Sequence, residues 1–328
     1  MGKSRKRRGW PELPAPLAGK VVDNHTHLPL WEEQIPLVEG VRLSLTEQLE
    51  RARKVGVSAM ITSGCQVDEL APTVRLAEEH PQVFCALAIH PNEAALHAKV
   101  VATAPDGQTY QLQEWHQRYS LEQAVQQVYE MATSSEKAIA IGESGLDYFR
   151  TSPQGRQAQQ QGFRMHISLA KELGLPLQIH DREAHADTIR ILLEEGAPER
   201  TVFHCFSGDK EVAQVLAENG WYASIAGPVT YNANQWLREA AMAMPASLLL
   251  VETDAPYLTP HPHRGQPNAS YMSVWTVRKL AEITGRTETD MARQLVANTR
   301  EVYGEAVTAF AAWQTLLNGR LEYLHKPK

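Results

Sequence analysis

Eight times along this chain a short run of Val, Ile, Leu and Ala gives way to a longer stretch whose apolar residues return every three or four positions. The short runs predict strands at about 20–23, 57–61, 83–89, 138–142, 176–180, 201–205, 221–225 and 247–252. Between them lie amphipathic segments such as T-E-Q-L-E-R-A-R-K-V and F-R-M-H-I-S-L-A-K-E-L. Several close on a glycine (Gly174, Gly196, Gly220), the residue that fits a left-handed helix cap. Regular strand–helix alternation over 328 residues predicts an α/β fold, a single-domain (β/α)8 TIM barrel. A doubly wound open sheet is the competing arrangement, but no Gly-rich phosphate loop follows the first strand.

The barrel domain is expected to span 20–328, preceded by a basic, Pro-rich arm at 1–19. That arm opens M-G-K-S-R-K-R-R and continues W-P-E-L-P-A-P, with no apolar core of a secretory signal. Its basic start is either a loose contact to nucleic acid or a solvated end. Residues 96–120 break the rhythm and read as an inserted loop on the active face, a lid or substrate wall, or else a surface excursion. Helical text from Met272 to about Leu321 is expected to pack along the barrel.

No apolar run approaches the roughly 20 residues of a membrane span. Three scattered cysteines (Cys65, Cys85, Cys205) make no disulfide framework, so a reducing cytoplasm is the expected compartment. A net charge of −6 argues against a broad electrostatic footprint for duplex DNA. A nucleic-acid substrate would have to be gripped locally.

In a parallel barrel the chemistry sits where strands end and loops begin. Strand one ends in His25-Thr26-His27, strand four in Gly142-Glu143-Ser144 and strand five in His180-Asp181. Strand six ends in His204-Cys205 and strand eight in Glu252-Thr253-Asp254. Period-two alternation puts His25 and His27 on one side of their strand, within reach of one ion. A lone His at a strand end is more often structural than a ligand, but six such groups on five strand ends point to metal. Imidazoles with carboxylates suit a borderline-to-hard divalent cation. Six ligands exceed the need of one tetrahedral ion and suit two ions sharing a carboxylate. An unpaired Glu143 on an apolar strand would be costly to bury, which a nearby cation explains.

Other residues have two readings each. His90, in A-I-H-P, either contacts substrate or caps the turn before Pro91, and Arg150 and Arg264 are either phosphate contacts or surface residues. His185 is read as structural, Cys205 as a core thiol facing the helices, and Asp23 as a support for a ligand.

The motifs D-N-H-T-H-L, A-I-H-P, I-G-E-S-G-L-D-Y, L-Q-I-H-D-R-E-A-H, F-H-C-F-S-G and E-T-D-A-P-Y-L-T-P occur in the order seen in the TatD family of metal-dependent deoxyribonucleases. The resemblance runs from about residue 21 to A-N-T-R-E-V-Y near 303. It implies two divalent metals (Mg, Mn or Zn) bridged by Glu143, with His25, His27 and Asp254 on one and His180 and His204 on the other. It further implies 3′→5′ exonucleolytic phosphodiester hydrolysis on DNA, with Asp254 orienting or deprotonating the water. The chain departs from the family after E-T-D-A-P, reading Arg264-Gly265-Gln266-Pro267-Asn268-Ala269-Ser270 where a more charged stretch is common. Its insertion at 96–120 is also longer than the family leads one to expect.

The expected protein is therefore a cytoplasmic, monomeric two-metal hydrolase taking DNA strand ends as substrate, without membrane contact. Glu143 and Asp254 are its expected catalytic residues. One rival is a small-molecule amidohydrolase or lactonase on the same barrel, where a carbamylated Lys commonly stands at the Glu143 position. The other is a non-catalytic binding scaffold.

Overall fold

The computed structural model describes residues 9–309. The basic segment 1–8 and the part of the expected C-terminal helix beyond 309 lie outside the described residues. Eight strands form in the predicted places: β1 Val21–Thr26, β2 Val57–Gly64, β3 Val83–Leu87, β4 Ala138–Asp147, β5 Leu177–Arg182, β6 Thr201–Phe203, β7 Tyr222–Ile225 and β8 Leu249–Val251. They pair in parallel in sequence order. Between β8 and β1 the barrel is closed just beyond the strands. The Asp254 amide donates to the His25 carbonyl at 3.0 Å, and the His27 amide to that of Ala255 at 2.7 Å. The Asn24 side chain adds a bond to the Val251 carbonyl at 2.9 Å. The fold is a single-domain (β/α)8 TIM barrel.

Eleven helices are named among the described residues: α1 Leu45–Val55, α2 Val67–Glu79, α3 Pro91–His97, α4 Glu114–Arg118, α5 Leu121–Ser134, α6 Arg156–Leu173, α7 His185–Glu195, α8 Lys210–Glu218, α9 Gln235–Ala243, α10 Ser273–Ile283 and α11 Glu288–Tyr303. Local sequence fixes their ends. In α1, Ser44 accepts from the Glu47 amide while Glu47 accepts from that of Ser44, and left-handed Gly56 stops the helix. None of the helices is long and apolar enough to cross a membrane. The cysteines are free thiols.

Alternation divides the core in two. Val21, Met60, Cys85, Ile141 and Leu177 pack with the helices, each such burial contributing roughly 1.5–3 kcal/mol for a large aliphatic chain. Val22, Ile61, Ala86, Ala140, Val202 and Leu250 form a second cluster, joined by Val302, Tyr303 and Val307 from the C-terminal part of the chain. The barrel floor is thus plugged from α11 onward, and the opposite rim is left for chemistry.

Two expectations need correction. Strand four is not finished at 142 but runs to Asp147. Its glycines Gly142 (φ 148°) and Gly145 (φ 145°) pass so close to β5 that a Cβ would collide with Gln178 and with the His180 carbonyl. Glycine therefore lets an apparently broken strand continue, with Glu143 inside it. The segment 96–120 is not a uniform loop: Leu96 and His97 belong to α3, and α4 closes it. The arm at 9–19, on whose packing the sequence was silent, lies against the barrel. Arg278 donates to the Ala15 carbonyl (2.8 Å), Tyr271 to that of Pro11 (3.0 Å) and Gln266 to that of Gly9 (2.8 Å).

His166, buried on α6, donates from Nδ1 to the Gly162 carbonyl (2.7 Å) and accepts the Ile89 amide at Nε2 (3.0 Å). Only a neutral ring satisfies both bonds, and burial lowers its pKa from 6.5 to about 4. The unfolded chain binds this proton more tightly, so the stability linked to His166 is full above pH 6.5 and is lost as pH falls towards 4. The loss is on the order of 3 kcal/mol. Urea unfolding between pH 7 and 4 is expected to give a flatter stability curve for His166→Gln than for the parent. Parallel curves would refute this role.

Candidate metal centre

β1 delivers His25 fully buried, with His27 one residue past the strand. Gln178 on β5 accepts from His25 Nδ1 at 2.9 Å and donates to the Asn24 carbonyl (2.9 Å) and the Tyr303 hydroxyl (2.8 Å). That network puts the His25 proton on Nδ1 and turns the Nε2 lone pair inward. His25 Nε2 lies 3.3 Å from His27 Nε2, and Asp254 Oδ1 lies 3.9 and 3.4 Å from the two. Asp23 positions the partner strand by accepting from the Thr253 amide (2.8 Å) and hydroxyl (2.6 Å).

Glu143 stands between this group and another. Its Oε1 is 3.3 Å from His27 Nε2 and 3.8 Å from His25 Nε2. Its Oε2 is 2.7 Å from His204 Nε2 and 3.0 Å from His180 Nδ1. His180 carries its proton on the far nitrogen, donated to Asp147 Oδ2 at 3.1 Å. His204 Nδ1 is 3.4 Å from Glu252 Oε1, which also accepts the Cys205 amide at 2.7 Å. All six predicted ligands therefore converge: His25, His27 and Asp254 on the Oε1 side, His180 and His204 on the Oε2 side, with Glu143 shared between the two.

The electrostatics call for positive charge here. Burial would raise the Glu143 pKa, but the charge on His204 and the bonds from His180 and His204 hold it well below the usual range. Burial opposes a charge on His180, yet its bonds to Asp147 and Glu143 carry its pKa up to about 9. His204 goes well above its ordinary value for the same reason, Glu143 overcoming burial. Inward lone pairs beside a buried carboxylate take up protons when no other cation is present, and a divalent ion satisfies them better. The residues fit a divalent cation: His25, His27, Glu143 and Asp254 could hold one on one side, and Glu143, His180 and His204 on the other.

The centre opens into a cavity of about 950 Å3. His90 and Arg150 line it; Arg264 does not, its guanidinium lying 4.5 Å from the Tyr231 ring centroid. His90 Nδ1 accepts the Asn92 amide at 3.2 Å, so a neutral ring keeps its proton on Nε2, facing Glu143 and His180. Burial lowers its pKa to about 4. His90 thus offers a hydrogen-bond donor to the cavity while also capping α3. Cys205 corrects its expectation: φ of 43° turns it away from the strand pattern, and it lines the cavity instead of facing the helices. His185 is tied to Asp181 at 2.6 Å. Tyr110, from the segment 96–120, also reaches the cavity, so that segment forms part of its wall.

Sequence reasoning missed Asp147, Gln178 and the role of Glu252. Asp147 accepts from His180 and from the Phe149 (3.0 Å) and Arg150 (2.6 Å) amides, and these bonds overcome burial to hold its pKa at about 2. Asp147→Asn is expected to weaken metal affinity roughly 10- to 100-fold with the ligand set intact, since its one acceptor oxygen goes to the Phe149 and Arg150 amides and leaves an NH2 facing His180. Titration of metal into chelator-stripped protein checks this, and unchanged affinity would count against it.

A further His/Glu group lies beside the cavity: Glu93 and His97 on α3 with His116 on α4. His116 Nδ1 accepts the Gln113 amide at 2.8 Å, so its Nε2 carries the proton and donates to Glu93 at 2.7 Å. Trp115 donates to the same carboxylate at 3.2 Å. These bonds tie the inserted segment to α3 and leave His116 no lone pair for a metal.

Comparison with known proteins agrees with this geometry. The pattern of the family described as TatD related DNase matches residues 22–304. A metal-dependent hydrolase, TatD, of Mycobacterium tuberculosis is 36% identical over 87% of this chain and 98% of its own length. The metal-dependent hydrolase YabD of Bacillus subtilis is 31% identical over 86% of this chain and 98% of its own. The crystal structure of YjjV, a TatD homologue from Escherichia coli, superposes with a TM-score of 0.71 at 26% identity, covering 86% of this chain and 97% of that one. With its barrel, its converging imidazoles and carboxylates, and a match across most of its length, the chain belongs to the TatD-related DNase family of metal-dependent hydrolases.

Proposed function

We propose that this protein hydrolyses phosphodiester bonds in DNA with two divalent ions, working from a strand end in the 3′→5′ direction. The observation that carries the reading is the double role of Glu143, whose two oxygens each face a separate pair of imidazole nitrogens at 2.7–3.8 Å. Bound there, divalent cations supply the Lewis acidity that activates water and neutralises charge on phosphoryl oxygens. Asp254, kept ionised against burial by its bond to His27, accepts the proton of the attacking water. His90 donates its Nε2–H to a phosphoryl oxygen. Arg150, 44% exposed and 4.0 Å from Asp106, is free to swing onto a neighbouring phosphate. A few such contacts suffice for a strand end and are compatible with a net charge of −6. A carboxylate where the rival amidohydrolases carry a modified Lys favours the nuclease reading.

The test is digestion of end-labelled DNA by chelator-stripped protein reloaded with Mg, Mn or Zn, beside a panel of amides and lactones. Metal-restored shortening from the 3′ end is expected. Turnover confined to the amide or lactone panel would overturn the proposal.

A further inference from the structure

The family pattern begins at residue 22, yet one residue of the cavity lining, Trp10, comes from the chain before it. The arm is bound along its length. The Leu17 amide bonds the Val55 carbonyl at 2.9 Å, Glu288 accepts the Ala18 amide at 2.7 Å, and Arg278, Tyr271 and Gln266 hold Ala15, Pro11 and Gly9. This path ends with half-buried Trp10 on the cavity lining. Its Nε1–H donates to the Val41 carbonyl at 3.3 Å, which fixes the ring against the connection between β1 and α1. That connection contributes Leu28, Leu30, Ile35 and Pro36 to the same lining, all without charge.

Among the described residues, Arg150 and Arg182 are the only Arg or Lys side chains on the lining. Arg182 is already stacked over Phe149, 4.2 Å from the ring centroid. Rings are more plentiful: Trp10, Tyr110, Trp236 and Tyr257 all line the cavity, and Trp236 and Tyr257 are exposed. A surface with few cations and several π faces holds a nucleic acid by its bases more than by its backbone.

We propose that the N-terminal arm is part of the substrate site, with Trp10 forming the stacking wall for a nucleobase beside the reacting phosphodiester. This rests on the nuclease reading and adds a specificity-determining residue from outside the family's matched span. Trp10 takes no part in bond breaking. It places the base and therefore acts on affinity.

The experiment compares a short single-stranded oligonucleotide with the same strand carrying abasic sugars at its 3′ end. With the base-bearing strand, Trp10→Ala is expected to raise KM about 5- to 150-fold with little change in kcat. With the abasic strand it is expected to change neither, and Trp10→Phe, which keeps a ring, should recover most of the lost affinity. Fluorescence anisotropy of both labelled strands on chelator-treated protein reads the same base-dependent difference without hydrolysis. If the parent protein cleaves neither strand, the nuclease reading fails while the binding measurement still decides the role of Trp10. Equal losses on both strands, no loss on either, or no binding of the base-bearing strand by the parent would overturn the proposal.

Discussion

Glu143→Gln is expected to leave a folded barrel that holds less metal and cleaves DNA at least about a thousand-fold more slowly. The carboxylate serves two groups at once: His25 and His27 meet Oε1, and His180 and His204 meet Oε2. An amide has a single acceptor oxygen, and its NH2 would aim donors at nitrogens whose lone pairs are needed for a cation. One side of the centre therefore loses its ligand whichever way the amide turns. Glu143→Asp keeps both oxygens but withdraws them by a methylene, and a loss of about 10- to 100-fold is expected. Metal analysis after stripping and reloading, run beside the DNA digest, checks both. Full metal content and full activity in the Gln variant would remove Glu143 from the centre.

Asp254→Asn is expected to lower kcat by about a hundred- to ten-thousand-fold with a small effect on the fold. Asp254 has a φ of 51°, in the left-handed region that Asn tolerates better than most residues. Its backbone, which bonds His25 across the barrel closure, should stay in place. The change then reads the lost proton acceptor and lost negative charge more cleanly than Asp254→Ala. Burial would raise the Asp254 pKa, but His27, His204 and His25 lower it, so the parent's acid stays ionised through the neutral range. Substrate turnover at a set of pH values, with circular dichroism as a control of folding, checks the expectation. A variant with parental kcat would require another base.

Much of this was legible in the chain because two periodicities carry it. Valine- and isoleucine-rich runs marked every strand, and strand ends marked the six convergent groups. What escaped was what glycine and polarity disguise. G-E-S-G-L-D reads as a loop by composition, yet it is the second half of β4, and Asp147 shares alternate positions with Glu143. Gln178 lies two residues before His180 and so shared its face, a usable signal obscured by the run's general apolarity. Glu252 was visible beside Asp254, but its contact with His204 is made across the rim between strands far apart in sequence. Trp10 had no periodicity to announce it, since Pro-rich text has neither the helical nor the strand repeat. Arg264 failed to reach the cavity because Tyr231 offers its guanidinium a face elsewhere.

The hydrogen bonds that close the barrel bear on how the protein is made. They are formed by His25, His27, Asp254 and Ala255 themselves, and 230 residues separate Asp23 from its partner Thr253. During synthesis the first histidines leave the ribosome long before the last acid does. A nascent or truncated polypeptide ending before residue 249 lacks β8 and Asp254 together, so it has neither a closed sheet nor the acid of its first group. The sheet and the candidate centre are therefore completed together, only after the final strand has been made.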